Sequence, residues 1–424
     1  MGKFNKKTTL LSIISILLFA LQTNAKESSL KDLPQPDWNF ELFQKFYKTK
    51  TNEYVFVITD VEDKVTYKDI WTRCKSIKPD AKAIVKYENQ LDEQNYRKHI
   101  FVCGPIDSFE RWKSFGLPIE KVQGGFRFGP YTFTDKEDGI CFLSSDANRV
   151  VYTGNSLSPI DKLLRTMCGL FQYTIVQQGV PAHFGNFMDG QFDSRGHIDL
   201  RKERERFLYR SMASKHYVFH YSDKIADDSK LKAKANHFDQ YCDEAIVKLE
   251  LNKPDYKIDC YIYSDENEKF FLSGILGPGG VTYGKEIHTL GFGAIEHESV
   301  HVLFNSEFSQ PNNNFFNEGI RQYYEYITDA KSLATGRNTV RKYLNEPIEK
   351  WANGSIYFFH TPSENEQAVA YPASGLFVKF LIDHHGLDKF KQFYGKVDVE
   401  AGFLGVYGKP LADMVKEWKE AEQE

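Results

Sequence analysis

"EHESVHVLFNSEFSQPNNNFFNEGIRQYYEY", Glu296 to Tyr326, decides how the C-terminal half of this chain folds. Two periodic runs are separated by a polar, proline-bearing stretch, "NSEFSQPNNN", so the segment reads as helix, break, helix. Residues four apart share one face of a helix. His297 and His301 therefore point the same way, while Ile295, Ser299, Val302 and Leu303 project away from them and give the first helix a face to bury. In the second helix Ile320, Tyr323, Tyr324 and Ile327 form a core-facing stripe, with Glu318, Gln322 and Glu325 on the opposite side. Each helix thus hides an apolar face and presents ligand-type residues on the other.

Two imidazoles at i and i+4 supply two of the three protein ligands that a catalytic zinc needs. Glu298 sits one position round the helix from His297, where it can act on a water without ligating the metal, the H-E-x-x-H arrangement of ligands and general base. Two residues compete for the third ligand position. Glu307 lies six residues after His301, where the pattern H-E-x-x-H-x-x-G-x-x-H has its last ligand, but Phe304 stands in place of the glycine that this pattern needs. Glu318, in "NEG", lies beyond the break, where a second helix can return to the first. Gln322, one turn after Glu318, is a candidate to support it, although a solvated polar face accounts for it and for Glu325 more simply.

These residues resemble the gluzincin metallopeptidases, in which an H-E-x-x-H helix is followed by a glutamate ligand in an N-E-G type helix. They are most similar to the small, divergent peptidase domains of that kind in secreted bacterial proteins. The likeness covers roughly Lys215 to Glu424 and includes "GGVTYGKEIHTLGFG" (Gly279 to Gly293) and "AYPASGLFVKFLIDHHG" (Ala370 to Gly386). It implies a thermolysin-like catalytic domain, mainly helical with a small β-sheet, that hydrolyses a peptide or protein substrate. It further implies one zinc ion per chain held by His297, His301 and Glu318, with Glu298 as general base and proton shuttle. Tyr371, just before a helix expected over Pro372 to His385, resembles the tyrosine that donates to the oxyanion, with His360 and His288 as weaker candidates. The sixteen residues between His301 and Glu318 make a slightly shorter spacer than in the best-known members. The glycine-methionine-glutamate-asparagine signature of the aminopeptidase branch is absent. A catalytically inactive binding protein on the same scaffold is the alternative, and the intact Glu298 argues against it.

The remaining sequence sets the frame. With 424 residues the chain exceeds the size at which one core stops growing, which predicts two domains. A formal net charge of -4, with no basic run beyond the N-terminus, gives no support for nucleic-acid binding. "MGKFNKKTTLLSIISILLFALQTNA" has a basic start, a short apolar run and small residues before Ala25, so residues 1–25 read as a signal peptide cleaved after Ala25, and the protein as secreted or periplasmic. No later segment is long enough to span a membrane. Export makes the six cysteines candidates for disulfides, and Cys242 with Cys260 a candidate pair across a helix-sheet contact.

Residues 26–205 read as an N-terminal α/β domain with a linker. Strands are expected at "YVFVIT", "AKAIVKY", "HIFVCG", "FRFGPYTF", "GICFLS" and "RVVYTG", and helices near Thr66 to Ile77, Ser108 to Phe115 and Pro159 to Gln178. Val180 to Asp199 reads as linker or loop. Residues 206–424 read as the second domain, entered through a strand, a long helix (Ser229 to Leu251) and a strand, so the class is α+β. Gly279 to Thr289 can supply an edge strand for an extended substrate. "GPGG" at Gly277 to Gly280 lacks the lysine and hydroxyl of a phosphate loop, and His384-His385 suit a helix end.

Overall fold

The computed structural model describes residues 53–58, 82–108, 119–144, 149–165, 172–185, 192, 194, 197–225, 228–274, 279–308, 313–342, 348–352, 364–396 and 398–423. The expected signal peptide, the helices near Thr66 to Ile77 and, apart from Ser108, near Ser108 to Phe115, and His360, Cys74 and Cys168 lie outside them.

Helices and sheets are both present, the α+β composition expected. Eight strands form the first sheet, in the spatial order His197–Asp199, Val180–Gly185, Tyr173–Gln177, Gly139–Leu143, Arg149–Gly154, His99–Pro105, Glu53–Ile58, Lys82–Tyr87. The last four are mutually parallel, and the other pairings are antiparallel. His99–Pro105 lies inside the parallel half, and its continuous run Ile100, Phe101, Val102, Cys103 is buried on both faces. A three-stranded sheet, Ile119–Val122, Gly125–Phe128 and Tyr131–Phe133, covers part of it, placing Phe126, Phe128 and Phe133 against Val55, Val102 and Tyr173.

Three expectations fail in this half. "FRFGPYTF" is two strands turned at Gly129, which has a φ of 56°. The helix expected over Pro159 to Gln178 is described only over Ser158–Arg165, and Tyr173–Gln177 is a strand. That strand turns through Gln178 and Gly179, at φ 53° and 76°, into Val180–Gly185, within the segment expected to be loop. Two consecutive positive φ values are the backbone of a tight hairpin, and the register shift between Pro181 and His183 accommodates a proline inside a strand.

The second sheet runs Arg210–Ala213, Tyr217–Tyr221, Ile258–Tyr263, Glu286–Leu290, Val281–Tyr283, with three parallel central strands and antiparallel edges. Alternation along these strands sorts the side chains. Tyr217, Phe219, Ile258, Cys260, Ile262 and Ile287 face the core shared with the helices Asp228–Lys248 and Ile295–Phe308. Tyr261, Tyr263 and Leu290 face the other way, against Phe270, Phe271 and Leu272 of the helix Glu266–Ser273. Phe184 and Ile198 of the first sheet and Leu200 of the helix Leu200–Phe207 enter that same cluster, which joins the two sheets.

Cys242 and Cys260 are buried thiols that are not bonded to each other, which corrects the expected pairing. Cys242 Sγ instead lies 2.9 Å from the Tyr217 hydroxyl, and burial pushes this thiol up to about 12. The helix expected to begin at Pro372 already begins at Glu364 and runs through the proline to His385. Proline cannot donate to the preceding turn, so the helix passes Pro372 with one internal bond fewer. Among the described residues no helix is long and apolar enough to cross a membrane.

Candidate metal centre

The first ligand helix, Ile295–Phe308, is anchored from its buried face. Ser299, wholly buried, bonds through its hydroxyl to Tyr217 at 2.6 Å, and Val302, Leu303 and Phe304 pack into the core. The second helix, Asn314–Thr328, starts at Asn313, whose side chain accepts from Phe315 N at 2.7 Å. It lies along Glu364–His385 through small residues. A Cβ on Gly319 would sit 2.6 Å from Val378 Cγ2 and 2.9 Å from the Ser374 carbonyl oxygen, so only glycine allows this approach. Gly375 makes the reciprocal contact, against Gln322 and Tyr326. Gln322 Cβ therefore packs against the neighbouring helix, and the residue is half-buried.

The two helices bring together His297, His301 and Glu318, among the described residues the one such group suited to a metal ion. The Nε2 atoms of the histidines are 3.2 Å apart, and Glu318 Oε2 lies 3.3 Å from that of His297 and 3.5 Å from that of His301. A tetrahedral zinc with bonds of about 2.05 Å has donor atoms about 3.3 Å apart along each edge. The measured triangle has those dimensions. Glu318 Oε2 is buried and accepts no hydrogen bond of normal geometry, although it faces both imidazoles. The residues present thus fit a zinc ion by spacing, donor type and an unsatisfied oxygen.

Electrostatics agree with the geometry. Burial opposes ionisation of Glu318, yet His301 and His297 outweigh it and hold this carboxyl well below the usual carboxylate range. Burial lowers His297; for His301 the Glu318 carboxylate overcomes burial and raises it. Burial pushes Glu298 up to about 7. Tyr371, half-buried on the helix Glu364–His385, lies within reach of the charges of Glu318 and Glu298. Burial raises its phenol far above the usual value, and the carboxylates of Glu318 and Glu298 raise it further.

The competing residues are elsewhere. Glu307 is occupied by Asn252, whose backbone N donates to it at 2.8 Å and whose side chain donates at 3.0 Å. The helix continues unbroken to Phe308, so six residues turn Glu307 through about 240° relative to His301. His288 lies on the opposite face of the sheet from Ile287, with its Nδ1 2.7 Å from the Tyr263 hydroxyl and its Nε2 3.1 Å from Glu286. His384 Nδ1 bonds the Phe380 carbonyl at 2.9 Å at the end of its helix, as expected for a terminal histidine.

A buried polar triad escapes the sequence reading. The single Tyr394 hydroxyl proton is shared between Asn305 Oδ1 at 2.7 Å and Asn317 Oδ1 at 2.9 Å, and Asn305 Nδ2 donates to Asn317 Oδ1 at 3.1 Å. Asn305 is one turn beyond His301 and Asn317 directly precedes Glu318, so the triad fixes the two ligand helices to each other. The asparagine of "NEG" is the one visible hint of it. Neither protein-family models nor curated protein sequences give a match to this chain.

Proposed function

We propose that the chain is an exported zinc-dependent metallopeptidase of the gluzincin type, with its catalytic domain in the C-terminal half. The observation that carries this reading is the triangle of His297 Nε2, His301 Nε2 and Glu318 Oε2, with edges of 3.2, 3.3 and 3.5 Å, beside a buried Glu298 that stands outside it. Two imidazoles and one carboxylate at tetrahedral spacing favour zinc over the oxygen-seeking divalent ions.

A zinc ion held by those three atoms would supply Lewis acidity, making a water more acidic and polarising a peptide carbonyl. Glu298 takes the proton of the attacking water on its carboxylate and delivers it to the leaving amine nitrogen. The Tyr371 phenol stays protonated at neutral pH and donates to the oxyanion that develops on the carbonyl. The buried faces of both ligand helices hold these groups still, which is the preorganisation that such a site requires.

Elemental analysis of the purified mature chain tests the proposal, beside Glu318→Ala, Glu307→Ala and Glu298→Gln. One zinc per chain is expected, lost with Glu318→Ala and kept with Glu307→Ala. Glu298→Gln should keep the zinc and abolish hydrolysis of a peptide library. A chain that binds no zinc under gentle purification would move the reading to the inactive binding scaffold.

A further inference from the structure

Lys269 is a lysine in an unusual place. It lies on the helix Glu266–Ser273, on the side of the sheet opposite the ligand helices, and is about 1% exposed. A buried ammonium is costly unless it is bonded, and burial pushes this one down to about 8. Its Nζ donates to the carbonyl oxygen of Gly279, and it lies close enough to Glu298 for the two charges to interact. The residue after that carbonyl, Gly280, runs directly over the base. A Cβ at Gly280 would stand 2.8 Å from both Cγ and Oε1 of Glu298 and 2.6 Å from Ala294 Cβ. Bare backbone is therefore held against the Glu298 carboxylate on one side, and the lysine ties that backbone down beside it.

The geometry points to Lys269 as a positioning residue for Glu298: by fixing the Gly279 carbonyl it lays Gly280 over the carboxylate and confines the base to one side-chain conformation. The same tie fixes the start of the edge strand Val281–Tyr283. This inference rests on the proposed hydrolytic role of Glu298. It adds a component that neither the H-E-x-x-H motif nor the zinc ligands contain, supplied from a helix about thirty residues earlier in the chain.

Lys269→Met removes the tie and leaves an apolar side chain of similar length, while the Gly279 carbonyl and Glu298 lose their cation, so folding of this variant is checked first. Two readouts are needed. In the metal-free chain, amide exchange of residues 280–283 should quicken in Lys269→Met and stay near the natural rate in Lys269→Arg, which keeps a donor. In the zinc-loaded chain, kcat on a peptide substrate should fall by about 10- to 100-fold, with KM and zinc content unchanged. Gly280→Ala reaches the same contact from the other side, so the double variant should lose little more than either single one. Unchanged exchange in Lys269→Met, additive losses in the double variant, or a loss of zinc in place of kcat would each overturn the assignment. If Lys269→Met does not fold, Gly280→Ala decides: an unaltered kcat with Glu298 intact would overturn it. Failure of the peptidase reading itself shows separately, as a zinc-loaded natural chain that cleaves no peptide, and the exchange measurement still tests the tie.

Discussion

Gly319→Ala is the substitution in which packing and chemistry can be separated most cleanly. The new methyl would stand 2.6 Å from Val378 Cγ2 and 2.9 Å from the Ser374 carbonyl oxygen, where ordinary contacts begin near 3.4 Å. Val378 and Ser374 are wholly buried, and one of the two clashing atoms is backbone, so a side-chain rotation cannot relieve both. The helices Asn314–Thr328 and Glu364–His385 must part by roughly half an ångström, and overpacking of that kind costs about 1–3 kcal/mol. Alanine recovers about 1 kcal/mol of helix propensity over glycine, so the net loss of stability should be only about 0–2 kcal/mol. The candidate metal site has no such compensation. Glu318 precedes the displaced residue, and its oxygen must stay within the triangle set by His297 and His301. Disturbing a ligand's support typically costs 10- to 100-fold in affinity, and that range is expected here. Zinc affinity by competition with a chromophoric chelator, and urea unfolding of the metal-free chain, read the two effects apart. Gly405→Ala is the control, since its Cβ would meet nothing within 4 Å in the helix Val399–Tyr407. It should stabilise slightly and leave zinc binding alone. A Gly319→Ala chain that binds zinc as tightly as the natural one would refute the argument that this close approach places Glu318.

Three further outcomes are expected. Asn317→Ala takes the acceptor from the Asn305 amide and leaves the buried Tyr394 hydroxyl with Asn305 Oδ1 alone, and should cost about 1–3 kcal/mol in urea unfolding together with a weaker hold on zinc; a change below 0.5 kcal/mol, roughly the spread of ordinary surface substitutions, would dismiss the triad. Tyr371→Phe should lower kcat by about 100-fold or more at constant zinc content, whereas equal kcat in the two chains would remove its donor role. In the first sheet His183 and His197 stack with ring centroids 5.1 Å apart, and burial holds both down at about 4. Since the unfolded chain binds their protons near 6.5, stability present above that pH is lost as pH falls toward 4. For His183 the shift amounts to roughly 3 kcal/mol, less for the partly exposed His197. His183→Gln should flatten the dependence of the urea midpoint between pH 7.5 and 5, and an equally steep dependence in the variant would count against it.

The convergence of His297, His301 and Glu318 is the most legible part of the sequence because it depends on local periodicity. A helix of 3.6 residues per turn places His297 beside His301 without knowledge of the rest of the fold, and the same periodicity turns Glu307 away once the helix runs unbroken to Phe308. What favoured Glu318 was the break at "SQPNNN", which local chemistry also announces. The misread segments are those in which two local signals conflict. Tyr173 to Gln177 is rich in β-branched residues, but it follows a helical start near Pro159 whose periodicity carries on into it. Val180 to Gly185 contains a proline that argues against a strand, and only the register shift at Pro181 shows how the sheet admits it.

The groups that decide precision were illegible for a different reason: they act across long separations. Tyr394 reaches Asn317 across 77 residues, Tyr217 reaches Ser299 across 82, and Ser374 meets Gly319 across two helices. None of these pairs leaves a periodic trace, because each partner sits on a face that would be buried in any case. Their division of labour is nonetheless visible in the motif. In H-E-x-x-H, Ser299 occupies a variable position and carries the tether to the sheet. In N-E-G, the residues flanking the glutamate carry the tether to Tyr394 and the approach to the neighbouring helix. The letters that a motif names for chemistry are the ones that meet in the candidate site; the letters beside them do the holding. A site of this kind is therefore best tested at its flanks, where a change of one methyl or one amide moves a ligand without removing it.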